Sequence, residues 1–295
     1  ASGLSTRSCR LVPSGRYAVD LTGTVPPDGW MGRVSTTVRA VRETSWPARS
    51  GTLAAVLMMG WLSVVLWLDR ASAGGSIWLQ RGLGVLTWGV LLLALRRVTP
   101  MVRVQTCVVV AFATLVEYLF SPTLEVYLYR FENVPMYVPP GHGLVYLSAY
   151  ALGHTPFVER HLRAAVGAVL VVGGTWAAYG WLLAERPDGL GAFWFACLVA
   201  FLLWGPSRPV YVGAFAVVSY LEIVGTELRT WVWQTEDPIL GVSIGNPPSG
   251  AAGGYGWFDL AGLLLAPHLM RRLSPRPRPS PRPTAPEDAA VRSGR

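Results

Sequence analysis

Glu117 and Glu222 each lie inside an apolar run, about one helical turn from its end, and each is followed four residues later by a hydroxyl, Ser121 or Thr226. A carboxylate at membrane depth costs roughly a few kcal/mol or more, so such groups face a bundle interior or water. Held there, a carboxyl can keep, donate or recover a proton, or neutralise a bound cation. Asp259, about one turn into the last apolar run, belongs with them. The competing reading is a structural clamp, each glutamate bonded to the hydroxyl a turn later or to a nearby Trp indole.

His142 opens another apolar run in "PPGHG", on the same side of the apolar layer as these carboxylates. With Glu125, Glu132, Glu227, Glu236 and Asp237 also on that side, it is placed for an acid–base pair or a hard-metal site. A simple cap on the helix start is the alternative. No HExxH spacing occurs, so no metal is assigned, and His154 and His268 at the opposite ends of their runs read as packing or headgroup contacts. The chain has no P-loop, no GxGxxG after a strand and no GxSxG, which leaves nucleotide-driven and nucleophile-elbow chemistry without a motif and no cofactor named.

The surroundings of the two glutamates repeat. Tyr127 and Tyr129 follow Glu117 much as Trp231 and Trp233 follow Glu222, and Glu132 with Asn133 then corresponds to Glu236 with Asp237. Both copies continue through a proline, Pro135 or Pro238, to a Pro-Pro pair, in "ENVPMYVPPGHG" and "EDPILGVSIGNPPSG". Proline removes a donor and forces an extended path, so each Pro-Pro turn launches the next helix sharply. The Tyr and Trp pairs fall where an interfacial aromatic belt belongs, and they read either as anchors or as substrate contacts. Self-similarity at this distance predicts two four-helix halves.

The elements that must position these residues are membrane helices. Of 295 residues 52% are hydrophobic and only 14% charged, against about 25% charged in an ordinary soluble domain. Eight runs approach the length of a helical span: 51–68, 76–95, 104–120, 141–158, 164–184, 190–205, 209–226 and 254–270. The fourth is marginal because it holds His142, Ser148 and His154, and the eighth because it holds Asp259. Every basic residue is Arg, and the net charge of +8 is spread between runs and tails, which excludes a nucleic-acid face and reads as topology. Arg33, Arg39, Arg42 and Arg49, Arg96, Arg97 and Arg103, Arg160 and Arg163, Arg208, and Arg271 and Arg272 mark the cytoplasmic side, and only Arg70, Arg81, Arg130, Arg186 and Arg229 are scattered on the outer side.

The expectation is therefore an all-α integral membrane protein of eight spans in the plasma membrane, with both termini cytoplasmic. An even number of spans per half makes the halves parallel, related by an axis along the membrane normal. Residues 50–158 form the first half and 159–272 the second. Residues 1–49 read as a disordered cytoplasmic tail without a cleaved signal, in which Met31 offers an alternative start, and the Pro/Arg-rich 273–295 as a second disordered tail that cannot bury a core. Cys9, Cys107 and Cys197 are too scattered for a disulfide framework, and the last two read as core residues.

In general plan, outer acids in a duplicated bundle resemble membrane enzymes that protonate polyprenoid or carotenoid chains. The favoured expectation is binding or processing of an amphipathic lipid or isoprenoid in an outward pocket. Glu117, Glu222, Asp259 and His142 are its proton-handling groups there, and Tyr127, Tyr129, Glu132, Trp231, Trp233, Glu236 and Asp237 its binding residues. A proton-coupled secondary transporter using the same carboxylates is the second reading, and a scaffold subunit of a membrane complex or homo-oligomer the third.

Overall fold

A computed structural model describes residues 48–273. The tails at 1–47 and 274–295, with Cys9 and Met31, lie outside the described residues. The chain forms α1 (Ala48–Leu68), α2 (Ile77–Leu95), α3 (Pro100–Tyr118), α4 (Val138–Gly153), a short α5 (Pro156–Arg160), α6 (Leu162–Leu182), α7 (Gly189–Trp204), α8 (Arg208–Glu227) and α9 (Ala251–Leu273). Two three-residue strands, β1 (Tyr127–Tyr129) and β2 (Trp231–Trp233), complete it.

Helix starts follow local chemistry. Ser76, Thr99 and Asp188 each accept an N–H of the first turn, at 3.4, 3.5 and 2.9 Å, and Pro100 and Pro209 occupy first-turn positions where no donor is needed. Among the described residues, five helices are long and apolar enough to cross a membrane: α1, α2, α3 with its continuation to Thr123, α6 and α8; α7 is apolar but shorter. Val56, Leu86, Leu93, Val171 and Leu182 are among the large apolar side chains these helices turn outward, a surface suited to hydrocarbon rather than water.

The marginal fourth run turns out differently from the expected single segment. α4 ends at Gly153, and Thr155 and Pro156 begin the separate α5, because proline disfavours helix in the residue before it. Nearly every α4 residue is buried, packed by α1, α2, α3 and α8. A helix enclosed by protein needs no apolar stripe for lipid, which is why it tolerates His142, Ser148, Tyr146 and Tyr150. α9 packs on α3, α7 and α8 but leaves Trp257, Leu264, Leu265 and Leu269 exposed. Thus α4 packs on α8 while α9 packs on α3.

These crossings are close. A Cβ on Gly213 of α8 would stand 2.1 Å from the carbonyl oxygen of Ala149, and one on Gly153 of α4 would stand 2.0 Å from that of Pro209, so α4 and α8 meet backbone to backbone. One expectation is corrected: Cys107 is exposed on the apolar surface of α3 rather than packed in a core, and Cys197 is half-buried.

Candidate functional site

Both glutamates are positioned by the same local path. α3 continues through a wide turn, Leu119–Thr123, and the chain reverses at Glu125 with φ 55°. α8 ends at Glu227 and reverses at Arg229 with φ 54°. In each copy the left-handed residue comes two positions before a strand, and it folds that strand back over the end of its helix. The strands then pair antiparallel, Tyr127 with Trp233, Leu128 with Val232 and Tyr129 with Trp231. The pairing is flanked by Gln234 N–H to the Val126 carbonyl and Arg130 N–H to the Thr230 carbonyl, at 3.0 and 3.1 Å.

The alternating side chains that face the bundle reach the carboxylates. Tyr127 and Tyr129 each donate a hydroxyl to Oε2 of Glu117 at 2.8 Å, and Nε2 of His142 lies 2.8 Å from its Oε1. Trp231 and Trp233 each donate an indole N–H to Oε2 of Glu222 at 3.1 Å. Burial, and then the charge of Glu117, push the Tyr127 and Tyr129 hydroxyls well above the usual tyrosine range, so they remain donors. The rings also contact across the strands, with centroids 4.5 Å apart for Tyr127 and Trp233 and 6.2 Å for Tyr129 and Trp231.

Both carboxylates, His142 and all four strand aromatics line one cavity of about 290 Å³. Its remaining wall is apolar and aromatic, from Leu62, Val65 and Leu66 of α1, Phe112 and Val116 of α3, Trp194 of α7, and Tyr255, Trp257 and Phe258 of α9. His142 sits against Tyr255 and Phe258, with ring centroids 5.1 and 5.5 Å away. Phe112 and Trp257 are exposed on the outer surface of the bundle as well, so the cavity wall reaches the apolar exterior. Among the described residues, Oε1 of Glu222 takes no hydrogen bond, whereas both oxygens of Glu117 are engaged.

The other site residues separate from this cluster. Asp259 is buried one turn beyond Tyr255, outside the cavity lining, and its Oδ2 has no protein partner. Glu132 and Glu236 are exposed, and Asp237 uses Oδ1 to accept the N–H groups of Ile239 and Leu240 at 3.0 and 2.7 Å, closing a turn. None of the three lines the cavity. The hydroxyl clamp also differs from expectation, since Thr226 donates to the Glu222 backbone carbonyl at 2.7 Å rather than to its carboxylate. The expected indole partner is present twice. Among the described residues, no three His, Cys, Asp or Glu side chains converge as a metal would require.

Sequence reasoning missed Asp69, between α1 and α2, and Asp188, between α6 and α7. Asp69 is buried and accepts from Gln80 and the Tyr137 hydroxyl, both at 2.8 Å, with Arg130 3.9 Å away. Asp188 accepts from Gly245 N–H at 2.8 Å, Ser249 N–H at 2.6 Å and Ser249 hydroxyl at 2.7 Å, besides capping α7. Two arginines counted as topology signals are also internal. Arg130 donates to the Arg70 and Gly75 carbonyls, and Arg186 to those of Ile244, Trp233 and Gln234. Asp188 was legible as a cap directly before an apolar run; Asp69 had no comparable signal.

Compared with known proteins, the chain matches no family model, no curated protein and no solved structure.

Proposed function

We propose that this is an eight-span plasma-membrane protein of two parallel halves, whose shared cavity opens outward and to the bilayer and binds and processes the apolar part of an amphipathic lipid, an isoprenoid chain in particular. The observation that carries the reading is the cavity itself: two carboxylates enter an otherwise apolar, aromatic space whose wall continues onto the apolar surface at Phe112 and Trp257. A polar or ionic substrate would find little to bond there. A chain from the bilayer would enter sideways, and about 290 Å³, near the low end of the roughly 300–1,000 Å³ of ligand sites, suits one segment of it.

Two parallel halves are supported by matching details that no single helix requires. Each half has a glutamate under its own pair of strand aromatics, a left-handed residue two before the strand, and an aspartate bonded into its outer loop. The strands pair about a centre at Leu128 and Val232.

The two glutamates divide the work. Glu117, with both oxygens bonded and His142 beside it, is the orienting and proton-accepting group. Glu222 presents Oε1 to the cavity while two indoles hold Oε2, so it is the one placed to give a proton to a bound alkene. The aromatic faces around them stabilise the positive charge that protonation would create.

The test is purification in mild detergent followed by mass spectrometry of the co-purified lipids. Wild-type protein should carry isoprenoid or other long-chain lipid at stoichiometric level, and Glu222→Gln should retain it while losing any conversion. Protein that carries no lipid, or holds stoichiometric protein partners in its place, would turn the reading towards a scaffold.

A further inference from the structure

Beneath the cavity the core of the bundle stays polar where packing alone would make it apolar. α4, enclosed on all sides, carries His142, Tyr146, Tyr150 and His154 at successive intervals of four residues, hence on one face. Twelve residues of helix are about 18 Å, most of the depth of a span. The ladder starts at the cavity, where His142 touches Glu117 at 2.8 Å. It ends at His154, half-buried at the opposite end of α4 and stacked on Tyr150 with ring centroids 4.2 Å apart. Between them the rings of Tyr146 and Tyr150 are 6.4 Å apart, and the Tyr146 hydroxyl donates to Oε1 of Gln105 at 3.0 Å.

α9 and α8 add to the same layer. Asp259 lies one turn past the cavity-lining Tyr255 on α9, and Tyr211 lies in the first turn of α8. Asp259 and Tyr211 are at least 95% buried, at 5% and 0% exposure, yet Oδ2 of Asp259 and the hydroxyl of Tyr211 have no protein partner. Nδ1 of His142 and the hydroxyl of Ser148, also in α4, are in the same condition. More than nine in ten buried polar groups are ordinarily satisfied, by protein or by bound water, so four such atoms on α4, α8 and α9 need a reason. Chains of Asp, Glu and His inside a membrane domain are the means by which protons are relayed.

We propose that α4, with Asp259 and Tyr211, forms a proton route between the cavity and the opposite end of the bundle, bridged by internal water. Protons enter at His154, pass through the Tyr150 and Tyr146 hydroxyls and the Asp259 carboxyl, and reach His142 and Glu117. Each step exchanges one O–H or N–H bond for another, so nothing is oxidised and no co-reactant is consumed. The route goes beyond the lipid reading and shares only Glu117 and His142 with it.

Purified full-length protein is reconstituted in phosphatidylcholine vesicles enclosing a pH-sensitive dye, with potassium and valinomycin clamping the membrane potential. After an external acid pulse, wild-type vesicles should acidify several-fold faster than protein-free vesicles. Tyr146→Phe, which keeps the ring and removes the hydroxyl, and Asp259→Asn, which keeps the shape and removes titration, should return the rate to the protein-free level. Tyr179→Phe, on the exposed face of α6, should leave it unchanged. Wild-type rates equal to those of empty vesicles, or Tyr146→Phe and Asp259→Asn variants that conduct like wild type, would overturn the route. Lipid content is measured on the same preparations. Lipid-free protein that conducts as expected counts against the cavity reading alone, and lipid-loaded protein that fails to conduct counts against the route alone.

Discussion

Glu117 and Glu222 occupy equivalent places but have unlike neighbours, and the difference is testable one atom at a time. Glu222 Oε2 accepts two indole N–H groups, and a Gln side chain still offers a carbonyl oxygen there. Glu222→Gln should therefore keep thermal stability in detergent close to wild type, whereas Glu222→Ala leaves two buried indoles unpaired and should cost about 1 to 3 kcal/mol. Equal melting temperatures for the Gln and Ala variants would show that the indole bonds hold nothing together. Gly225 provides a second handle. A Cβ there would fall 1.9 Å from the Trp231 ring, so Gly225→Ala must displace that indole and release one of the two bonds to Glu222. Its signature is a changed Trp fluorescence spectrum, and an unchanged spectrum would mean the ring does not depend on Gly225. The two glutamates, and an indole as a partner, were legible from type and spacing, whereas the tyrosines read as anchors or substrate contacts and not as partners of Glu117. Which oxygen each partner takes was not, because that depends on how each strand folds back over its helix.

Helices and loops were read with uneven success, for physical reasons. Runs facing lipid announce themselves by continuous hydrophobicity, as α1, α2, α3 and α6 do. α4 is enclosed by neighbours and α9 buries Asp259, and these polar residues blur the signal that a window of apolar residues provides. Loops were harder still. Glu132, Glu236 and Asp237 looked like part of an acidic pocket, yet the acids that organise the loops are Asp69 and Asp188, from the α1–α2 and α6–α7 connections. Asp188 satisfies four donors from three residues at once. Asp188→Ala should lower stability by on the order of 3 kcal/mol, because several buried donors lose their acceptor together. Asp188→Asn keeps one acceptor oxygen and should recover about half of that loss. Thermal unfolding in detergent reads both, and an Ala variant as stable as wild type would leave Asp188 without a structural role.

At the scale of the whole molecule, the paired strands constrain topology before any charge is counted. β1 and β2 are hydrogen-bonded neighbours, so the chain between them, through α4, α6, α7 and α8, must cross the membrane an even number of times. Four crossings give eight spans in all, and two would make a pair of these helices re-entrant. Arginine supports the larger count. Of the five arginines expected outside, Arg130 and Arg186 are bonded to backbone carbonyls, and Arg70 and Arg81 lie over the Trp67 and Trp78 rings at 4.0 and 4.8 Å. Arg103 and Arg208 on the other side bond backbone carbonyls in the same way, so the bias toward that side rests on the tally itself. The check is impermeant thiol labelling on intact cells, in a background lacking the three native cysteines. Cysteines at Glu132 and Leu240, both exposed beside the strands, should react from outside. Cysteines at Arg97, after α2, and at Glu159, after α4, should react only once the membrane is opened. Labelling of Glu159 from outside would make α4 re-entrant, reduce the span count and break the equivalence of the two halves. Protection of both Glu132 and Leu240 with outside labelling of Arg97 would keep the halves and invert the molecule, turning the cavity toward the cytoplasm.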